Sequence, residues 1–322
     1  MNRYHLIHVT DFRYDAPVSD SYNEVRLRPI DDDRQSCLSF RLTTSPTSHS
    51  TAHRDAFGNW VHQFNVLREH RHLAVEAESV VLAHNLSAPP TSPMSLTELD
   101  GMGEDISEEF YDFVAPSAYV PHLPQLQAIL DNARGESGGT VMGFAQAASR
   151  LIHECFRYVK GATHVHSSIA DALALGAGVC QDFAHLLLGV LRMRGLPGRY
   201  VSGYLVPRPL GETGAGMEQV IGGQATHAWV EVYVPASGWV PLDPTLGAPI
   251  GPRHIRVAYG RDYGDVAPVR GVYKGHAGQR LSVDVRVRPV LDNEGRELLQ
   301  GTAAKPPEPE PEQRQQQPAQ QQ

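Results

Sequence analysis

Along the first 84 residues, large apolar side chains alternate with polar ones. Tyr4-His-Leu-Ile-His-Val-Thr and Glu24-Val-Arg-Leu-Arg-Pro keep a period of two, the pattern of half-buried strands. Asp55-Ala-Phe-Gly58-Asn59 is a turn signal beside a further alternating run, Trp60-Val-His-Gln-Phe-Asn-Val, and Leu73-Ala-Val-Glu-Ala-Glu-Ser-Val-Val-Leu continues the alternation. Short strands separated by turns predict a β-sandwich-like domain over residues 1–84.

The period then changes. Residues 85–103 are rich in Pro, Ser, Thr and Gly and read as a surface linker. Short helical patterns around Ser107–Phe113 and Pro124–Ala133 extend this connecting region to residue 140. From Val141 to Val159 the apolar positions Phe144, Ala148, Leu151, Ile152 and Cys155 have helical spacing. A second long helix begins near Cys180, and Arg199-Tyr-Val-Ser-Gly-Tyr-Leu-Val and Ala228-Trp-Val-Glu-Val-Tyr-Val read as strands. Helices followed by strands predict an α+β core over residues 141–300. Pro and Gln fill 12 of the 22 positions from 301 to 322, a composition that predicts a disordered tail.

Composition narrows the function classes. The chain of 322 residues carries 28 Lys+Arg against 36 Asp+Glu, a net charge of −8, which argues against a general nucleic-acid partner. No apolar run is long enough to span a membrane, and the N-terminal residues lack the apolar stretch of a secretory signal. Three cysteines, Cys37, Cys155 and Cys180, do not make a disulfide framework and suit a reducing, cytoplasmic compartment.

The candidate chemistry centres on Gly176-Ala-Gly178-Val-Cys180-Gln-Asp-Phe-Ala-His185. Two glycines mark a turn, and an apolar stripe of Cys180, Phe183, Ala184, Leu187, Leu188 and Leu191 begins at once. Cys180 therefore stands in the first turn of a helix, where the dipole and free N–H groups favour a thiolate and an oxyanion beside it. Cys155, within a helix with no turn before it, and Cys37, beside a strand, read as packing residues. His227 opens a strand and shares a face with Trp229, Glu231 and Tyr233, and the chain returns through Trp239-Val-Pro-Leu-Asp243-Pro-Thr. A thiol nucleophile needs a base, and the base needs an orienting group. Cys180, His227 and Asp243 supply these types in chain order, 47 and 16 residues apart. Metal binding is not expected: Cys180 and His185 diverge around the helix, and His164-x-His166 has no paired ligands nearby in sequence. The Asp31-Asp-Asp33 run reads as a solvated turn.

Four blocks together resemble the transglutaminase-like superfamily: Gly178–His185, Gly195-Leu-Pro-Gly-Arg-Tyr-Val-Ser-Gly203-Tyr204, His227-Ala-Trp-Val-Glu231 and Gly238-Trp-Val-Pro-Leu-Asp243-Pro-Thr. The resemblance extends to bacterial members with an N-terminal β-domain, through Tyr4…His8-Val-Thr, Tyr14-Asp-Ala-Pro17-Val and Asp55–Asn59, and through Gly260-Arg-Asp-Tyr-Gly-Asp-Val-Ala-Pro268-Val-Arg-Gly271. It implies a papain-like core in which Cys180 attacks an amide of a peptide or protein, His227 is the base and Asp243 its orienter. The acyl-thioester then passes to water or to an amine; the alternative is a peptide-binding module without chemistry. No cofactor is implied. Animal transglutaminases place an indole N–H upstream of the cysteine, but Thr163-His-Val-His166-Ser167-Ser168 holds no Trp, so Gln181, His166, Ser167 and Trp229 are the candidates for oxyanion or substrate contact.

The triad makes a demand on strand register. If Val234 pairs with Trp239, His227 faces Leu246 and Asp243 falls three residues short, about 10 Å along the strand and on the opposite face. The expectation is therefore irregular pairing near Pro241, with Asp243 bonded to the Nδ1 side of His227.

Overall fold

Strand β1 (Asn2–Val25) runs for 24 residues and belongs to both halves of a curled sheet. It is followed by β2 (Gln35–Ser45), β3 (Ser50–Arg54), β4 (Trp60–Val66) and β5 (His70–Ala83). The computed structural model describes residues 2–84, 93–165, 167–207 and 226–290. The expected tail, part of the expected linker and His166 lie outside the described residues. Three short helices follow: α1 (Leu96–Gly101), α2 (Gly103–Glu109) and α3 (Tyr111–Val114). A 3-10 turn (Pro124–Leu126) then leads into α4 (Gln127–Glu136) and α5 (Val141–Cys155). Next come β6 (Arg157–Tyr158), α6 (Ile169–Leu175), β7 (Ala177–Gly178) and the central helix α7 (Cys180–Met193). The chain continues as β8 (Gly198–Leu205), β9 (Thr226–Val234), β10 (Gly238–Leu242) and β11 (His254–Gly260). It closes with α8 (Tyr263–Val266), β12 (Val269–Lys274) and β13 (Gln279–Pro289). None of the described helices is long and apolar enough to cross a membrane.

The β-rich unit is assembled from both ends of the described chain. The first half of β1 pairs with β5 and β13, from Tyr4↔Pro289 to Tyr14↔Gln279; its second half pairs with β4 and β12. The ladder to β5 shifts between Arg13 and Val18, around Pro17, which has no N–H to give. The strand bends there, and Tyr14, Val18, Phe64, Leu73 and Val75 fill the space between the two halves. Strands 269–289 were expected within the 141–300 core; they extend the N-terminal sheet instead. Such pairing is set by partners more than 200 residues away, so local alternation carries no trace of it.

In the core, α7 is buried on almost every side from Gln181 to Arg192, beyond the single stripe that its sequence suggests. It packs against an antiparallel sheet of order β10-β9-β8-β11. The inward face of that sheet is apolar, with Ala228, Val230, Val232 and Val234 in the same cluster as Phe183, Leu187 and Leu191. Helix α5 starts at a Thr140 cap whose hydroxyl accepts from the Gly143 N–H at 3.0 Å. It ends at Cys155, earlier than the expected Val159, because Arg157 and Tyr158 pair in parallel with Ala177 and Gly178. Cys155 is consequently exposed, a correction to its reading as a packing residue. Its apolar stripe stops at Ile152, the last buried residue of the helix.

Edge strand β11 is covered by side chains of the β-rich unit. The Gln35 amide accepts from the Arg256 N–H and donates to the Arg256 carbonyl, each at 2.8 Å. Asn59 does the same with Tyr259, at 2.8 and 2.7 Å. Two primary amides thus replace a neighbouring strand and satisfy an otherwise open edge. Asp32 closes a turn on the Arg34 and Gln35 N–H groups and pairs with Arg256 at 2.6 Å. The acidic run is therefore an anchor as well as a turn.

Candidate active site

The glycine turn before Cys180 has a steric origin. Gly176 ends α6 in the left-handed region, at φ 57°. At Gly178 a Cβ would come within 2.6 Å of the Asp182 carboxylate. Asp182 needs that space, because it accepts from the Val179 N–H at 2.7 Å and from the Thr163 hydroxyl. Val179 is extended and helix α7 begins on the next residue, so Cys180 occupies its first position, partly buried. The Asp182 and Phe183 N–H groups both close on the Val179 carbonyl. The Cys180 and Gln181 N–H groups have no backbone acceptor among the described residues, as expected for a helix start.

His227 and Asp243 meet in a buried pair, with Nε2 of His227 2.7 Å from Oδ2 of Asp243. The bond uses Nε2, not the expected Nδ1. Nδ1 is buried and has no hydrogen-bond partner among the described residues. Burial works against a charge on His227, but the Asp243 carboxylate and the neighbouring Cys180 outweigh it and push its pKa up to about 10. Asp243 responds in the opposite sense: burial alone raises its pKa, and the two histidines beside it hold it well below the carboxylate range.

The register that allows this contact is regular, contrary to the expected irregularity at Pro241. Gly238 pairs with Val234 and Leu242 with Val230, without a break. The hairpin turn is one residue shorter than assumed, with Ala236 and Gly238 at positive φ of 64° and 72°. This single step moves Asp243 opposite Trp229, two residues from the position facing His227 and on the same side of the sheet. Diagonal neighbours of this kind are within reach of long side chains. Beyond β10, Asp243 closes its own turn, with Oδ1 accepting from the Thr245 and Leu246 N–H groups at 2.9 and 3.0 Å.

A residue missed by sequence reasoning completes the arrangement. His254, the first residue of β11, brings its Nε2 to 3.1 Å from the same Oδ2 of Asp243. Its ring stands edge-on to Trp229, with centroids 5.2 Å apart. Gly203 lies between β9 and β11, where a Cβ would strike the Trp229 ring at 2.6 Å and the Ile255 carbonyl at 2.1 Å. His254 belongs to none of the blocks that carry the resemblance; it falls between the one ending at Thr245 and the one beginning at Gly260. Among the described residues, His227, Asp243 and His254 present possible metal-ligating atoms within 4.8 Å of one another. Both imidazole Nε2 atoms are already directed at one carboxylate oxygen.

The oxyanion candidates fare differently. Gln181 donates to the Val165 carbonyl at 3.2 Å and ties the preceding loop to the helix. The Ser167 hydroxyl accepts from the His164 N–H within that loop. Trp229 is fully buried beneath His227, with ring centroids 6.0 Å apart. His166 lies outside the described residues. His185 points away from Cys180, accepts from the Tyr263 N–H and is kept neutral by burial, with a pKa of about 3. A separate groove of about 630 Å³ runs between α5 and β10 and reaches Asp243, but neither Cys180 nor His227 lines it.

Residues 4–82 match the bacterial transglutaminase-like N-terminal region, and residues 129–244 match the transglutaminase-like superfamily. An uncharacterized protein of Mycobacterium leprae, ML0607, is 37% identical over 287 residues, which cover 89% of this chain and 99% of that protein. The protein-glutamine gamma-glutamyltransferase of Pseudomonas aeruginosa is 32% identical over 128 residues, 38% of this chain and 18% of that one. The crystal structure of a candidate cysteine protease from Cytophaga hutchinsonii shares the fold, with a TM-score of 0.65 at 20% identity, covering 90% of this chain and 92% of that one. Motifs, fold and relatives agree: the chain belongs to the transglutaminase-like superfamily, in its bacterial form with an N-terminal β-region.

Proposed function

We propose that the protein is a thiol-dependent hydrolase of peptide or isopeptide amides that works through a Cys180 acyl-enzyme. One observation carries this reading: His227 is anchored through Nε2 on Asp243, which leaves Nδ1 as the ring nitrogen that can serve Cys180, a neighbour close enough to help raise the pKa of the ring. The Cys180 thiolate attacks the amide carbonyl carbon, and the first-turn N–H groups receive the developing oxyanion. The C–N bond then breaks as the His227 imidazolium gives its proton to the leaving nitrogen. In the second half, neutral His227 takes a proton from water, which attacks the thioester and releases the carboxylic acid and the Cys180 thiolate. Asp243 keeps the ring oriented and offsets its charge throughout.

Transfer of the acyl group to an amine is the second reading, favoured by the similarity of 128 residues to a protein-glutamine gamma-glutamyltransferase. A panel of glutaminyl and peptidyl amides, assayed with and without a primary amine, tests both. Release of ammonia or amine that depends on Cys180 supports the hydrolase, and amine incorporation exceeding hydrolysis supports transfer. No Cys180-dependent turnover across the panel overturns the acyl-enzyme reading.

A further inference from the structure

We propose that His254 is a positioning residue of this site, a neutral second imidazole that fixes the Asp243 carboxylate for His227. The inference rests on the acyl-enzyme reading above and extends it to a residue outside the Cys-His-Asp set. A carboxylate offers about four lone-pair sites, and Asp243 has four donors in place: His227 and His254 on Oδ2, Thr245 and Leu246 N–H on Oδ1. The backbone pair fixes one oxygen, whereas Oδ2 depends on the two rings alone.

The two rings are not equivalent. Only one of them can usefully carry the positive charge opposite a single carboxylate. Burial pushes the pKa of His254 below the ordinary histidine value, against the pull of Asp243, while His227 goes the other way. His254 is thus the neutral partner, and Oδ2 requires its one proton on Nε2. Its Nδ1, buried and without a hydrogen bond, agrees with that tautomer. The charged and titratable groups around the ring are Asp243 on the β10 side, His227 on β9 and the adjacent Arg253. Two residues beyond, the Gln35 amide holds both backbone groups of Arg256, so the strand that presents His254 is itself clamped.

A ring that only packs and a ring that donates make different predictions. His254→Phe keeps an aromatic ring against Trp229 but gives Asp243 nothing, whereas His254→Gln restores an N–H at comparable reach. Alkylation of Cys180 by iodoacetamide, mapped by mass spectrometry across pH, reads the site without a known substrate. The expectation for His254→Phe is a rate about 10–100-fold lower near neutrality, by analogy with the range seen when a group that orients a metal-ligating side chain is removed. Its acid limb, which reports the Cys180–His227 pair, should also move, because the His254 hydrogen bond acts on the Asp243 oxygen that faces His227. His254→Gln should recover the wild-type limb and most of the rate. Equal profiles for wild type and His254→Phe, or a loss in His254→Phe with an unmoved limb that Gln fails to rescue, would overturn the positioning role. If wild-type Cys180 itself reacts no faster than Cys155, the acyl-enzyme reading fails first, and the two failures are distinguishable.

Discussion

Two buried charge clusters occupy the same face of β9, one around Glu231 and the other around His227. At Glu231, one carboxylate oxygen takes Arg199 at 2.8 and 2.5 Å and the other pairs with Arg256 at 2.8 Å. The Arg199 guanidinium lies between Trp239 and Tyr259, 4.3 and 3.8 Å from their ring centres, and Arg256 also reaches Asp32. Each charge there has a counter-charge or an aromatic face, so the cluster is closed as an ion-pair network, although Oε1 of Glu231 makes no hydrogen bond beyond its contact with Arg256. At His227 the carboxylate is as well supplied with donors, but one ring nitrogen remains unpaired, and a thiol stands beside it. Burial and ion pairing are common to both ends of the strand. Chemistry belongs to the end where the titratable atom without a hydrogen bond stands beside a thiol.

The largest expected effect separates the cysteines. Cys180→Ala should abolish amide turnover, while exposed Cys155→Ala leaves it within about twofold; equal losses would show that the open end of the face has been misassigned. Next is Asp243→Asn, expected to lower turnover by about 10³–10⁴-fold, as loss of the orienting carboxylate does in serine proteases. The same variant tests linkage. The His227 pKa rises on folding, so the stabilisation it brings is complete below its unfolded value of ~6.5 and fades as pH climbs towards 10. Chemical denaturation of the wild type should show stability falling across that window, and Asp243→Asn should flatten the slope.

The closed cluster should behave in the reverse manner. Glu231→Gln takes the carboxylate away from Arg199 and leaves buried Arg256 with Asp32 alone, and should cost about 3–5 kcal/mol of stability, with turnover per folded molecule retained within about threefold. A milder change, Gln35→Leu, leaves the Arg256 N–H and carbonyl unsatisfied at the β11 edge and should cost about 1–3 kcal/mol by urea unfolding. A catalytic loss in Glu231→Gln without a loss of stability would erase the distinction between the two ends.

Much of this arrangement was legible in the sequence where the determinants are local. Alternation marked the N-terminal strands, helical spacing marked α5 and α7, and the glycine turn marked the position of Cys180. The pairing of Asp243 with His227 was anticipated in outline, but the register and the ring nitrogen were not. One residue in the hairpin turn decides the side of the sheet on which Asp243 falls, and the positive φ of Ala236 within the shortened turn has no residue-type signal. His254, Gln35 and Asn59 were invisible for a different reason. Each acts on a partner on another strand, 11 residues away for His254 and 200 or more for the two amides. The exposure of Cys155 likewise follows from where α5 stops, which is set by the pairing of β6 with β7.

The central claim is that the unpaired ring nitrogen of His227 activates Cys180. Its most direct test is the rate at which each cysteine is alkylated at about pH 6, measured by peptide mapping in wild type and His227→Ala. The account predicts that partly buried Cys180 reacts faster than exposed Cys155 in the wild type and loses that advantage in His227→Ala. Cys155 reacting first, or a Cys180 rate unchanged by removal of the imidazole, would contradict it.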